Sequence, residues 1–453
     1  MTAPEQSSGS TLSNVSMRKV AAASLAGAVL EWYDFFIFGT ASALVFGKLF
    51  FPSESPAAGM IAAFATFAVG FLARPLGGLY FGHLGDRYGR KKSLLATLLI
   101  VGISTTLIGV LPTWETAGYW APVLLLVLRL AQGFGLGGEY GGAALLTIEH
   151  AAEAKRGFWG SLPQAAASGG ILLATGAFAL VSQLPEQDLL SWGWRLPFLM
   201  SAVMLIVGLL IRLRIEETPD FEAARIKAAA RRDASPERAP LFQLLKDHPG
   251  ALLMTIGARL AETTASNIVN TFAIVYVTTQ LALPKSVVLN GVLTAACIGL
   301  IICPLFGAMS DRIGRRQVYM AGAVFMALFT VPFFLLLGSQ SPVWILVGIV
   351  VAYNLGPTSM FAVQATFFSE LFGPGVRYTG LSIAYQFSAI IGGCTPLIAT
   401  GLLQLNNGKP WYVACYLIAI CLLSFFCAWR VRGKARITAH AEPQTSVRRA
   451  HSL

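Results

Sequence analysis

The chain alternates between long apolar runs and short polar joints. Twelve runs approach or exceed the roughly 20 residues needed to cross the hydrocarbon of a bilayer. They lie near 20–46, 57–81, 94–111, 121–147, 157–183, 193–212, 250–279, 286–308, 318–337, 341–368, 380–404 and 411–429. Rich in Gly, Ala, Leu, Phe and Ile, they lack the alternating polarity over about ten residues that marks a membrane barrel, and so predict helices. The joints are uneven. Residues 1–17 are Ser/Thr-rich without the basic–apolar–small pattern of a signal peptide, and read as a disordered tail. Residues 214–248, with Pro219, Pro236 and Pro240 among Arg, Glu and Ala, read as a connector between six spans (18–213) and six more (249–430). A basic tail, 431–453, ends the chain.

Composition sharpens the class. Hydrophobic residues make up 55% of 453, charged residues only 12%, and mean hydropathy is +0.65. Soluble domains average roughly 25% charge, so this chain cannot coat soluble surfaces. A soluble enzyme, a disordered protein and a nucleic-acid binder are excluded. The net charge of +11 is a matter of placement. With the N-terminus inside, 26 of the 33 Lys and Arg fall in inward-facing segments, against Lys48, Lys285, Lys409 and Arg195 outside. That asymmetry predicts cytoplasmic termini and anionic lipid headgroups as partners.

The halves repeat. Gly82-His-Leu-Gly-Asp86-Arg87-Tyr-Gly89-Arg90-Lys91 follows the second span; Gly307-Ala-Met-Ser-Asp311-Arg312-Ile-Gly314-Arg315-Arg316 follows the eighth, 225 residues on. Glu149 and Arg156 are echoed by Glu370 and Arg377 at an offset of 221. Two echoes at nearly one offset predict duplicated bundles. The expected fold is thus an all-α membrane protein, with twelve transmembrane helices in two pseudo-symmetric six-helix bundles.

The G-x-L-x-D-R-x-G-R-K loop and its copy resemble the hallmark of the major facilitator superfamily. Glu31-Trp-Tyr-Asp34-Phe, Arg129-x-x-Gln132-Gly-x-Gly-x-Gly-Gly-Glu139-Tyr, Trp192-Gly-Trp-Arg195-x-Pro and Glu217-Thr-Pro-x-Phe221 together look like its metabolite:proton symporter branch. That branch carries shikimate, 2-oxoglutarate, citrate or proline/betaine. His248-Pro-Gly250-Ala and Arg259-Leu-x-Glu262 look most like the shikimate type. The resemblance covers residues 18–430. It implies a monomeric inner (plasma) membrane carrier, working by alternating access, with the proton as coupling ion and no other cofactor. It also implies that spans one, four, seven and ten line a central cavity, and that the duplicated loops latch its inner side.

Membrane physics supplies candidates independently. Ionisable groups inside a span are costly and normally face a cavity or a partner. The mid-span acids are Glu31, Asp34, Glu139 and Glu262; the bases are Arg74, Arg129 and Arg259. One acid is left over by count, a candidate for protonation during part of a cycle; alternatively, all seven are structural pairs. Proton coupling is expected of Glu31, Asp34, Arg129 and Glu139. Arg129 and Arg259 suit a substrate carboxylate through the two-pronged guanidinium. Arg259, Glu262, Thr263, Ser266 and Asn270 form one helical stripe. Tyr33, Gln132, Gln164, Asn267, Tyr353, Asn354, Tyr385 and Gln386 complete the expected binding residues, although intramembrane amides often only join helices. Gln164 and Tyr385 are repeat twins, again at 221. The expected gate comprises Gly82, Asp86, Arg87, Gly89, Arg90, Glu149, Arg156, Asp311, Arg312, Gly314, Arg315, Glu370 and Arg377; pure topology anchoring is its bland alternative.

Other signals point away from chemistry. Gly133, Gly135 and Gly138 match a dinucleotide fingerprint, but no strand precedes them, and close helix packing explains them. No phosphate-binding G-x-x-x-x-G-K-[ST] loop exists, and six intramembrane Cys without C-x-x-C spacing suggest neither disulfide nor metal site. The expected function is proton-coupled import of a small organic acid, and the chain is not expected to be an enzyme. The alternatives are a zwitterionic osmolyte as cargo, a drug:proton antiporter (disfavoured by the absence of Pro from residues 169–178) and a non-transporting scaffold.

Overall fold

The computed structural model describes residues 14–53, 55–88, 90–137, 147–148, 151–213, 244, 246, 249–372 and 377–431, and among these only helices and their connections form. Of the expected tail 1–17, residues 1–13 lie outside the described residues and 14–17 instead begin the first helix; most of the connector 214–248 and residues 432–453 of the tail 431–453 also lie outside them. Six long helices precede the connector: α1 (Asn14–Ala41), α2 (Pro56–Tyr88), α3 (Arg90–Ile108), α4 (Trp120–Gly137), α5 (Arg156–Val181) and α6 (Arg195–Leu213). Six follow. They are α7 (Pro249–Asn267, prolonged through Ile268–Phe272 and Ala273–Val275 to Tyr276–Gln280), α8 (Lys285–Ile313), α9 (Arg315–Gly338), α10 (Pro342–Tyr353, relayed through Asn354–Thr358 to Ser359–Ser369), α11 (Arg377–Gly393, then Thr395–Leu405) and α12 (Trp411–Arg430).

Ten stretches within these are long and apolar enough to span a membrane. The other two have physical reasons for missing that mark. In α3 the apolar part is short, Lys92–Ile108. In α7 the mean hydropathy is lowered by Arg259, Glu262 and a run of Thr, Ser and Asn, which this helix turns inward rather than to lipid.

Within the first bundle α1 packs on α5, α2 on α4 and α3 on α6; within the second α7 packs on α11 and α12, α8 on α10 and α9 on α12. Small residues set the spacing. A Cβ on Gly133 would overlap the Gly70 carbonyl, and one on Gly70 would overlap the Arg129 guanidinium, so the α2–α4 crossing requires glycine. This is the packing role expected of that glycine run. Between bundles, α5 lies along α8 and α2 along α11.

Candidate functional site

A cavity of about 30 Å³, the room of roughly one water, lies between the bundles. Its polar wall is Gln164 and Ser168 of α5, Glu262 and Ser266 of α7, and Tyr353 and Thr358 of α10; Trp32, Phe36 and Phe361 supply the aromatic wall. Helices one, seven and ten contribute as expected. The described residues of helix four do not, and α5 and α8 (through Cys303) line the cavity as well.

On the second-bundle side the charged groups form a relay. Arg259 approaches Glu262 at 3.9 Å from Nε to Oε2, one turn away on α7. Its Nη1 donates to the Tyr385 carbonyl at 2.8 Å and to Ser388 Oγ at 2.9 Å, with the guanidinium 4.0 Å from the Tyr385 ring centre. Gln364 stands between the two charges. In the amide orientation that pairs donors with acceptors, it donates to Glu262 Oε2 at 3.2 Å and accepts from Arg259 Nε at 2.7 Å. Across the cavity Ser168 and Tyr353 share a hydrogen bond of 3.1 Å, and Gln164 donates to the Phe361 carbonyl at 3.2 Å. The repeat twins Gln164 and Tyr385 also meet, at 3.5 Å. Twin residues thus join across the pseudo-symmetry axis.

The remaining candidates are placed elsewhere. Arg129 is 1% exposed inside the first bundle. It donates to the Phe67 carbonyl and to Gln132 Oε1, and its guanidinium faces the rings of Phe38 and Phe67 at 4.2 and 4.8 Å. Gln132 donates onward to the Asp34 carbonyl and to Thr105 Oγ1, both at 2.8 Å. The Asp34 carboxylate accepts from Ser201 at 2.6 Å, and Tyr33 donates to the Pro197 carbonyl at 2.6 Å. Glu31 on α1 is half-buried and does not line the cavity. Asn267 donates to the carbonyls of Thr263 and Gly392, Asn354 to those of Ala295 and Val350, and Asn270 to Ser266. Gln386 donates to the Gly137 carbonyl at 2.9 Å, joining α11 to the end of α4. Asn267, Asn354 and Gln386 thus tie helices together, whereas the Asn270 bond stays within α7.

Gln364, Ser168, Ser388 and the aromatic wall were not among the expected site residues. Gln364 is a buried amide between Phe361 and Phe367, and such a polar residue in an apolar run was signal enough. Trp32 sat unread inside the Glu31–Asp34 motif.

Some of the residues expected to form the gate come together on one side. Asp311, at the end of α8, accepts from the backbone N–H groups of Gly157 and Phe158 at 2.8 and 2.9 Å. It thereby caps the N-terminus of α5 from the opposite bundle, an arrangement the helix dipole favours. Arg315 pairs with Asp311 at 3.3 Å, ion-pairs with Glu370 and donates to the Glu153 carbonyl at 3.2 Å, so one guanidinium also bridges the bundles. The Arg156 carbonyl accepts from Thr366 at 3.4 Å. Gly314 ends α8 at φ +101°, a conformation that favours glycine. Arg312 is exposed. Glu139, Glu149 and Gly89 lie outside the described residues, as do the side chains of Asp86, Arg87, Arg90 and Arg377, while Gly82 is placed as backbone of α2. On the opposite face α2 meets Thr395–Leu405 and Ser42–Phe46 meets Ala273–Val275, so the bundles touch at both ends of the cavity.

Comparison with known proteins gives the same architecture. Residues 19–435 match the family model described as "Sugar (and other) transporter". The shikimate transporter of Escherichia coli (strain K12) is 43% identical over 94% of this chain and 97% of its own. The proline/betaine transporter of the same strain is 36% identical, over 90% of this chain and 82% of its own. A crystal structure of a D-xylose-proton symporter superposes with a TM-score of 0.71 at 18% identity, covering 92% of this chain and 98% of that one. At that identity the likeness is one of fold.

Proposed function

The chain belongs to the sugar (and other) transporter family of the major facilitator superfamily, and on that premise we propose that it imports a small organic acid together with a proton. The observation that carries this reading is the Arg259–Gln364–Glu262 relay at the edge of an interbundle cavity. A guanidinium offers paired donors to a carboxylate, and a carboxyl one turn away can be protonated as the anion arrives. Of the two arginines expected to hold substrate, Arg259 is the one beside the cavity. Ser168, Ser266 and Gln164 supply donors and acceptors for hydroxyl groups. We place the face bearing the Asp311 clamp in the cytoplasm, from the distribution of Lys and Arg.

A second reading has its own observation. Trp32, Phe36, Tyr353 and Phe361 line the same cavity as Glu262, and an aromatic wall together with a carboxylate also suits the cationic head of a betaine-like zwitterion. A thermal-shift screen of the purified protein separates the two. Ligand at 100 times its dissociation constant adds about 2.7 kcal/mol of stability. Stabilisation by shikimate, 2-oxoglutarate or citrate supports the acid, stabilisation by glycine betaine or proline alone supports the zwitterion, and hits confined to hydrophobic cations contradict both.

A further inference from the structure

We propose that Glu262 is the carboxyl that takes up the transported proton, and that Gln364 is the positioning residue that converts its protonation into availability of Arg259. The inference rests on reading the chain as a proton-coupled organic-acid carrier.

The geometry distinguishes Glu262 from Glu31 and Asp34, two of the carboxyls expected to couple protons. Glu262 forms part of the cavity wall, where a proton and a substrate can both reach it. Asp34 lies inside the first bundle, 4% exposed, against Ser201. Around Glu262 the titratable or charged neighbours are Arg259 on its own helix, Cys303 on α8, Tyr319 on α9 and Tyr353 on α10, with Tyr385 on α11 beside Arg259 and Cys421 on α12 beside Tyr319. Among the described residues of α1, Trp32 and Phe36 line the cavity with it. Among these described neighbours Arg259 alone carries charge at neutral pH, and at 3.9 Å it is too far to hydrogen-bond the carboxylate directly. The amide of Gln364 makes both hydrogen bonds instead.

That amide has two useful orientations. With Glu262 ionised, its N–H donates to Glu262 Oε2 and its carbonyl accepts from Arg259 Nε–H. A proton on the Glu262 carboxyl turns that oxygen from acceptor into donor. A half-turn of the amide then lets Gln364 Oε1 accept from the new O–H. The same half-turn withdraws the carbonyl from Arg259 Nε, just as the countercharge at 3.9 Å disappears. Arg259 keeps its bonds to the Tyr385 carbonyl and Ser388, but its buried charge now lacks a counterion. A substrate carboxylate fills that role. Proton first, anion second, is therefore the stable order of loading; deprotonation reverses each step and returns Arg259 to Gln364. By linkage, substrate binding must favour protonation of Glu262 as strongly as protonation favours substrate.

The test measures protons taken up per shikimate bound by the full-length protein in weak buffer, together with shikimate affinity from pH 5 to 9. Wild type should take up about one proton per shikimate, and its affinity should fall about tenfold per pH unit above the titration of Glu262. Glu262→Gln should bind shikimate with no proton uptake and a flat pH profile. Gln364→Met, compared at a temperature where it remains folded, should take up less than one proton with a shallower profile, and Asp34→Asn should keep the wild-type profile. Should Glu262→Gln fail to fold, Glu262→Asp should keep the uptake with a displaced midpoint, and an unmoved midpoint overturns the proposal. Full uptake in Glu262→Gln, or an unaltered profile in Gln364→Met, also overturns it while leaving acid transport standing. If wild type binds neither shikimate, 2-oxoglutarate nor citrate at any pH, the functional reading falls, and this proposal with it.

Discussion

Arg129 sits midway along α4 with its guanidinium 4.2 Å from the centre of the Phe38 ring and its N–H groups on Phe67 and Gln132. That surrounding is complete without a substrate. Removing it should therefore cost fold rather than affinity: a desolvated cation–aromatic contact is worth about 2 kcal/mol and a hydrogen bond to a charged group about 1.5–3 kcal/mol. Arg129→Ala should express poorly and melt early. Arg129→Lys, which loses the planar fork, should melt a few degrees lower yet bind substrate normally. Paired melting curves and binding titrations check this, and weakened substrate binding by a well-folded Lys variant would restore Arg129 as the carboxylate holder. The sequence made the ionisable residues within the spans legible because charge in hydrocarbon is costly. It could not say which faced the cavity, because that depends on the rotation of each helix about its axis. Arg129 and Gln132 share a face of α4, and that face turns into its own bundle.

The elements carry the gate. Asp311 caps α5 through two N–H groups, and Gly157 meets Gly307 at the same crossing. A Cβ on Gly157 would lie 2.6 Å from the Gly307 carbonyl, so Gly157→Ala should force α5 and α8 apart. Asp311→Asn keeps one acceptor and loses the charge. With each charge-assisted bond worth about 1.5–3 kcal/mol, it should shift the population toward the state open on this face by tenfold or more. Spin-label distances between the ends of α5 and α10 measure that shift, and unchanged distributions in both variants would leave the motif a topology anchor. Burial lifts the Glu370 carboxyl above its ordinary value, against the opposing pull of Arg315. On acidification the Arg315–Glu370 pair should thus protonate and loosen at a higher pH than an ordinary glutamate pair. The same distance measurement down a pH series checks this, with Glu370→Gln removing the pH step. The Asp311 motif was readable from its repeat; its partner was not. Backbone N–H groups at a helix start have no sequence signature, and only the crossing of α5 with α8 brings them to the aspartate.

At the scale of the molecule, twelve spans and two halves could be read because hydrophobic length and duplication are properties of the chain itself. The cavity could not, since it is the space left when the bundles meet. Gln164 and Tyr385 were legible as twins at an offset of 221, but their contact across the axis appears only in the assembled fold. In the proposed mechanism these scales join: anion and proton enter together through the cavity beside Arg259 and Glu262. Uptake of radiolabelled shikimate into proteoliposomes, with the interior held one to two pH units alkaline, tests it most directly. The account predicts accumulation above the external concentration, collapsing when a protonophore is added and absent from Glu262→Gln vesicles that still exchange preloaded shikimate. Equal uptake with and without the gradient, or extrusion of shikimate toward the acidic side, would contradict it.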